Sequence, residues 1–220
     1  YHLDDEIEDA ASFATEEDYD IISVRNDEAI DDDKYDTPTE DDNIISTDDN
    51  VQPTVVINIV ITEIMYDPDK VSDSNGEYIE LYNIGTATVN IQGWILTDDN
   101  NQMNYYISPN NPLWFFPNTF LVIGKIDDPF LNGGIHNVQS FLSFSLNNTG
   151  DSVYLYDSKK IIITDIQYDD ITPWPSHKAG TAIELKTRNS DPKNPSSWQL
   201  CPLPFGSGDF GTPGKDNSSW

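Results

Sequence analysis

The chain is 220 residues long and strongly acidic, with 39 Asp and Glu residues against 11 Lys and Arg residues and a formal net charge of −28 at pH 7. Nucleic acids and anionic membrane surfaces are bound mainly through Lys and Arg, so this charge argues against both as partners. The single cysteine, Cys201, excludes an internal disulfide, and no apolar run approaches the ~20 residues that a membrane helix requires.

The N-terminal quarter carries about half of the acidic residues. Residues 1–54 contain 20 acidic and two basic side chains, for a formal charge of −18, and few large apolar residues. This composition predicts an acidic, mostly irregular N-terminal arm. Short β-prone segments at residues 21–24 (IISV) and 44–45 interrupt the charge, and such segments are able to add to an exposed sheet edge. We predict that the folded domain occupies residues 55–220.

The folded domain is expected to begin with a strand at residues 55–65. Pro68 follows, and proline cannot continue a central sheet ladder. In residues 76–96 (GEYIELYNIGTATVNIQGWIL) apolar and polar side chains alternate, which is the period of a half-buried strand. This pattern predicts a strand at 78–82, a turn at 83–85, a strand at 87–91 and a third strand that starts at a buried Trp94.

The remainder of the chain continues as short strands separated by Gly, Asn and Pro residues. Strands are predicted at 103–107, 120–124, 161–168 and 182–185, and a hairpin is predicted between 141–146 and 153–156. A long irregular closure is expected after 185. Strands of this length with turn signals at roughly ten-residue intervals are typical of a β-sandwich.

Several short motifs, in this order, resemble the lamin-tail domain family. They are ITEIMYDP (61–68), GEYIELYN (76–83), IQGWIL (91–96), FLVIG (120–124), LNNTGDSVYLYD (146–157), TAIELK (181–186), NPSSW (194–198) and GTPGKDN (211–217). The resemblance implies an immunoglobulin-like β-sandwich that binds or assembles and does not catalyse. Two departures are the long connection at 99–119 and the lack of a heptad rod upstream. The chain is therefore more similar to the prokaryotic branch, whose members are exported or envelope-associated.

The best candidate metal ligands lie in the loop after the first strand. Calcium takes six to eight oxygen ligands, commonly from carboxylates, amides and carbonyls along one flexible loop. A solvated turn joining two strands is the alternative interpretation, and the acidic arm offers a second place where cations could be shared between subunits. The loop candidates are Asp67, Asp69, Asp73, Asn75 and Glu77.

Other motifs indicate little chemistry. The run at 206–211 matches G-x-G-x-x-G, but prolines flank it where a nucleotide loop needs a strand and a helix. No G-x-S-x-G motif is present and the three histidines have no partner motif, so we expect no catalytic residues and no zinc site. Asn147 and Asn217 begin N-glycosylation triplets. The aromatic run at 114–116 is either a docking patch or a loop that covers the core.

These observations predict an all-β, immunoglobulin-like β-sandwich of the lamin-tail type at 55–220, preceded by the acidic arm at 1–54. The expected function is that of a non-enzymatic extracellular or cell-surface structural or protein-binding module. It would self-associate through the arm or its sheet edges, with calcium as a candidate ligand. The alternative is an accessory binding domain of a larger secreted hydrolase. A nucleic-acid-binding function, as in lamins, is disfavoured by the charge.

Overall fold

Two β-sheets packed face to face form the framework of the computed structural model, which describes residues 57–98, 105–108 and 110–220. The predicted arm and its boundary at 54/55 lie outside the described residues. The strands are β1 (Ile59–Met65), β2 (Tyr78–Asn83), β3 (Val89–Asn90), β4 (Ile95–Thr97), β5 (Trp114–Phe115), β6 (Phe120–Gly124), β7 (Val138–Phe141), β8 (Gly150–Tyr156), β9 (Ile162–Asp169), β10 (Ile183–Leu185), β11 (Trp198–Leu200), β12 (Pro204–Phe205) and β13 (Asp209–Phe210). A four-residue helix α1 (Asp73–Gly76) and a 3₁₀ turn (Pro195–Ser197) complete the described elements.

The larger sheet has six strands in the order β11-β10-β1-β2-β6-β7, and the smaller sheet has three in the order β4-β8-β9. The strands are antiparallel except that β7 runs parallel to β6. Aliphatic and aromatic side chains from the facing sides fill the space between the sheets, including Trp94 as predicted. The all-β, immunoglobulin-like sandwich predicted from the sequence is thereby confirmed. No helix in the described part of the chain is long and apolar enough to cross a membrane.

A β-bulge in β1 determines which of its side chains face the core. Ile61 pairs with Leu81, but Glu63 pairs with Glu80, so β1 holds one extra residue, Thr62, against β2. Because of this extra residue, Ile61 and Ile64 both pack in the core between the sheets. Thr62 and Glu63 consequently lie on the other face of the six-stranded sheet.

That other face is also buried, because the C-terminal segment (residues 209–220) lies across it. Met65, Tyr78 and Val122 form a second small apolar cluster there. The Asn217 side-chain amide donates to the backbone carbonyls of Thr62 at 3.0 Å and Leu185 at 2.9 Å, which fixes the segment to the sheet. The irregular closure expected after residue 185 is therefore an ordered cover that contributes strands of its own.

The predicted hairpin between 141–146 and 153–156 is wrong. Strand β7 ends at Phe141 and pairs with β6, whereas β8 pairs with β4 and β9. Residues 141–146 nevertheless alternate between exposed and buried, with Leu142, Phe144 and Leu146 in the core. The alternation of apolar and polar residues at 142–146 thus arises because every second side chain packs on the core, and not because the whole segment pairs as a strand.

Two further strand predictions are corrected in their pairing or extent. The strand predicted at 87–91 is reduced to β3, which pairs with β5 and not with β2. Of the strand predicted at 103–107, Tyr106 forms an isolated bridge with Ile95, and residues 101–104 lie outside the described structure. The run at 114–116 is split, because Phe115 is buried while Trp114 and Phe116 are exposed.

Candidate functional site

Three glutamates form a continuous row across the centre of the six-stranded sheet. Glu63 on β1 lies opposite Glu184 on β10 and, on its other side, opposite Glu80 on β2. All three side chains are fully buried. Carboxylates are rarely buried unless they are paired or hydrogen-bonded, so this glutamate row needs a physical explanation.

The C-terminal segment supplies a hydrogen-bond donor to each member of the row. The Thr212 backbone N–H and hydroxyl donate to Glu63 at 2.8 and 3.0 Å, and the Gly214 N–H donates to Glu80 at 2.7 Å. The Ser218 N–H donates to Glu184 at 3.1 Å, and the Ser218 hydroxyl contacts the same carboxylate. The GTPGKDN motif is therefore held on the sheet by the glutamate row.

Two more donors come from the sheet itself. The Thr62 hydroxyl donates to Glu80 Oε1 at 2.8 Å, and the Gln199 amide donates to Glu184 Oε1 at 2.8 Å. Thr62 is the bulge residue, so the extra residue in β1 both reorients the strand and supplies a donor to the row.

Burial keeps part of this row protonated. Desolvation raises the pKa of Glu63 to about 8 from its usual value near 4.5, with a smaller contribution from the negative charge of Glu184, while the Thr212 hydrogen bonds oppose the rise. Desolvation likewise raises the pKa of Glu80 well above its usual value, and the neighbouring charge of Glu63 adds to it. No described Lys or Arg pairs with any of the three glutamates. Protonation therefore takes the place of a basic partner for the buried carboxyl groups of this row.

Cys201 lies beside this row and completes a group that meets only part of the requirements of a metal site. The ligand atoms of Glu63, Glu184 and Cys201 all lie within 4.8 Å of one another. However, both carboxylates already accept hydrogen bonds at each oxygen. Desolvation also raises the pKa of the Cys201 thiol, and a metal ligand needs the thiolate. The donor set thus fits a hydrogen-bonded clamp better than a metal centre.

The predicted calcium ligands are distributed around the loop, and most have partners of their own. Asp67 accepts from the Asn148 amide at 3.1 Å and pairs with His177. Asp69 pairs with the neighbouring Lys70, and Asp73 lies in the first turn of α1. Within the described chain, no group of three close ligand atoms includes any of these aspartates.

The other two predicted ligands face different neighbours. The Asn75 amide donates to the Leu131 carbonyl at 3.2 Å. Glu77 is fully buried, where its Oε2 atom lies 3.1 Å from Lys125 Nζ and accepts from the Leu146 N–H at 3.2 Å. Desolvation raises the pKa of Glu77, and the Lys125 ammonium opposes that rise. Calcium binding by this loop stays a prediction.

The two glycosylation triplets lie in different environments. Asn147 is exposed, and its side-chain oxygen accepts from the Thr149 N–H and hydroxyl, both at 3.0 Å, which leaves the amide nitrogen free of these bonds. Asn217 is 2% exposed, and its amide nitrogen makes the two backbone hydrogen bonds described above.

The glycine run at 206–211 forms the turn between β12 and β13. A Cβ on Gly206, which has φ +48°, would lie 2.0 Å from the Gly133 carbonyl oxygen, so close approach of two loops requires glycine here. Gly211 is also confined, because a Cβ there would lie 2.3 Å from Tyr78 Oη. These glycines therefore serve close packing between segments of the chain.

The edge of the smaller sheet at β9 is a candidate interaction surface. This strand has eight residues and pairs with β8 on one side, while no described strand pairs with its other side. Ile161 and Ile162, where the strand begins, are 58% and 50% exposed. A long edge strand with exposed apolar side chains is a template for strand addition.

Basic side chains are concentrated near the same edge. Lys159 and Lys160 are exposed in the turn that leads into β9, and Lys193 forms an ion pair of 2.6 Å with Asp165 in the middle of the strand. These three are one third of the nine Lys and Arg residues in 55–220. The start of β9 therefore has two exposed lysines beside its exposed isoleucines, while Asp165 and Asp169 lie further along the strand.

The glutamate row was not among the sites predicted from the sequence, although a signal was present. Each glutamate sits between branched or aromatic residues in a strand motif, in TEI, IEL and IEL. A charged residue at the centre of a strand with apolar neighbours on both sides indicates a buried carboxylate when the second face is also covered. That cover, the C-terminal segment, could not be recognised from strand periodicity.

Comparison with known proteins identifies the domain. The family model of the Lamin Tail Domain matches residues 52–170, which include β1 to β9. No curated protein and no solved structure matches the chain. The match covers more than half of the sequence, and β10 and β11, which lie beyond it, complete the six-stranded sheet. The family consists of immunoglobulin-like, non-catalytic protein-interaction modules. The chain belongs to the Lamin Tail Domain family.

Proposed function

We propose that this protein is an extracellular or cell-surface structural module that self-associates by strand addition at β9. The observation that carries the proposal is that one side of this eight-residue edge strand pairs with no described strand, while Ile161 and Ile162 are exposed at its start. Main-chain hydrogen bonds to an added strand would supply affinity, and the isoleucines would supply apolar contact. The other edge of this sheet, β4, is partly covered by the bridge between Ile95 and Tyr106.

The N-terminal arm of a second copy is the proposed occupant. Its segments at 21–24 and 44–45 have the β-branched residues that suit an edge strand, and both are flanked by Asp and Glu. Lys159 and Lys160, in the turn before β9, would face those acids. The exposed isoleucines at the start of β9 would then contact the isoleucines of the arm, and the two lysines would contact its carboxylates. The arm carries −18 and the domain −10, so association must also overcome a general repulsion.

Calcium enters this proposal as a promoter of association. A divalent cation would reduce the repulsion between acidic arms and domains, either by binding at the loop that contains Asp67 and Glu77 or by sharing between the arms. The two roles differ in their dependence on ionic strength, because screening is reproduced by sodium chloride and specific binding is not.

Light scattering of the full chain tests the proposal, with calcium, with chelator and with sodium chloride at equal ionic strength. We expect particles larger than the 24.8 kDa monomer, and we expect deletion of residues 1–54 to abolish them. Ile162→Asp should weaken association by removing apolar contact and repelling an acidic arm. Leu131→Asp is the matched control, since Leu131 is similarly exposed but lies in a loop and not in β9.

An unchanged particle size after deletion of the arm would contradict the arm as occupant. A monomer under every condition would contradict self-association. In that case the accessory binding domain of a larger secreted hydrolase would become the leading function.

A further inference from the structure

A groove lies next to β4, which is the second edge strand of the smaller sheet. The proposed self-association at β9 does not use this groove. It has a volume of about 360 Å³ and lies between residues 106–108 and 110–111 on one side and β7 with the residues after it on the other. The volume is at the lower end of the roughly 300–1,000 Å³ that ligand sites occupy. The groove is therefore large enough for part of a small ligand.

The walls of the groove are fixed by hydrogen bonds that do not involve a ligand. The backbone of Tyr106 bridges to Ile95 on β4, and the Ser108 hydroxyl donates to the Asn111 carbonyl at 2.9 Å. On the other wall, Gln139 Oε1 accepts from the Val122 N–H at 2.7 Å, which leaves the amide nitrogen of Gln139 available as a donor. A site that is already formed loses little entropy when it binds.

The described lining residues combine apolar and polar surface and include no charged side chain. The polar groups are the amides of Asn110, Asn111 and Gln139 and the hydroxyls of three serines. Amides and hydroxyls both donate and accept, which matches the hydroxyl groups of a sugar. In a domain with a formal charge of −10, a groove whose described lining residues carry no carboxylate favours a neutral ligand.

Two aromatic rings flank these polar groups. Tyr106 is 47% exposed and Phe141 is 62% exposed, and neither ring stacks on another ring in the described residues. The C–H faces of a pyranose ring pack well on an exposed aromatic face, because both surfaces are apolar and flat. Exposed rings beside neutral hydrogen-bonding groups are thus the complementary pattern for an amphipathic, uncharged sugar.

We propose that the groove formed by Tyr106, Phe141, Asn110, Asn111 and Gln139 binds a neutral oligosaccharide. Such a site is distinct from the β9 edge, so one molecule could associate with its own kind and attach to a glycan at the same time. The volume suits a section of about two sugar rings of a longer chain.

Isothermal titration calorimetry of the full chain with cellotetraose, xylotetraose, chitotetraose and maltotetraose tests the proposal. We expect saturable binding of at least one of them and no binding of tetragalacturonate, whose carboxylates the acidic domain repels. Tyr106→Ala and Phe141→Ala should each weaken binding by about tenfold. Phe130→Ala is the control, because this ring is exposed but lies outside the groove.

The proposal is overturned if no neutral oligosaccharide binds at millimolar concentrations. It is equally overturned if neither groove variant weakens binding or if Phe130→Ala weakens it as much. Binding of tetragalacturonate with the same affinity would contradict the selectivity expected of the uncharged lining. Circular dichroism of each variant establishes that a lost signal does not come from unfolding.

Discussion

Glu63 and Glu184 lie directly opposite each other on adjacent strands, and both are fully buried. Like charges in this position destabilise a sheet unless one of them is neutral. The raised pKa of Glu63 and the donors from Thr212 and Ser218 resolve the conflict, since a proton and hydrogen bonds replace the missing base. The cross-strand pair thus becomes the anchor for the C-terminal segment.

Glu63→Gln should change how stability depends on pH. The pKa of Glu63 is about 8 in the folded chain and near 4.5 when unfolded. Its contribution to stability is therefore complete below about pH 4.5 and is lost as the pH rises through about 8. Glutamine is neutral at every pH. The free energy of unfolding of the variant at pH 9 should therefore exceed that of the wild type by at least about 1 kcal/mol, which corresponds to a pKa shift of one unit.

Urea unfolding of both proteins between pH 5 and 9 measures this difference. Asp127→Asn, at an exposed carboxylate, is the control and should show no such trend. A constant difference between wild type and Glu63→Gln across the pH range would show that Glu63 is ionised throughout.

Lys125→Met should destabilise the domain by about 3 kcal/mol at neutral pH. The substitution leaves Glu77 buried and without its cation, which is the costly way to break a buried ion pair. Burial raises the pKa of Glu77, so protonation at acidic pH should reduce the loss. Thermal unfolding of the variant and the wild type at pH 5 and pH 8 measures the loss of stability at each pH. The double variant Glu77→Gln/Lys125→Met should recover part of the stability, and failure to do so would show that Lys125 acts mainly through its other contacts.

Gly211→Ala should destabilise the domain by steric contact and not by backbone conformation. The added methyl group would lie 2.3 Å from Tyr78 Oη and 2.9 Å from Glu63 Oε1. Overpacking of this kind costs about 1–3 kcal/mol. Tyr78→Phe removes the nearer atom, and the double variant should therefore be more stable than Gly211→Ala alone. Urea unfolding measures both. Equal free energies of unfolding for Gly211→Ala and the double variant would show that the strain does not come from the contact with Tyr78 Oη.

Glycosylation should occur at Asn147 and not at Asn217 when the chain passes through a eukaryotic secretory pathway. A sugar on Asn217 would replace one of the two amide hydrogens that donate to Thr62 and Leu185, and it would have to fit in a buried position. Mass spectrometry of glycopeptides measures occupancy at both sites, with Asn147→Gln as the control. A folded, secreted product modified at Asn217 would contradict the position of the C-terminal segment.

The fold was predictable from the sequence where a short apolar run is bounded by turn residues. The strand FLVIG at 120–124 and the buried Trp94 are both predicted correctly, because apolar runs and turn residues report local structure directly. Pairing was less predictable, since β2 and β3 are neighbours in sequence yet join different sheets. Alternation at Leu142 and Phe144 reflects core packing and was indistinguishable from a ladder.

The candidate sites were harder to predict than the fold. The donors that the C-terminal segment supplies to Glu63 and Glu80, at Thr212 and Gly214, are more than 130 positions away in the sequence. No local pattern encodes such a contact. The local Asp and Asn spacing at Asp67–Glu77 predicts a shared calcium ion, and this stays a prediction. The contacts of these residues with His177, Lys70 and Lys125 were not predictable from that spacing.

Amide hydrogen exchange of the full chain at high and low protein concentration tests strand addition at β9 most directly. Backbone N–H groups on the side of β9 that pairs with no described strand would become hydrogen-bonded in the assembly. Strand addition predicts that exchange within Ile162–Asp169 slows as concentration rises, and that Ile162→Asp removes this effect. Association with unchanged exchange in β9, and new protection at another edge such as β7 or β11, would contradict it.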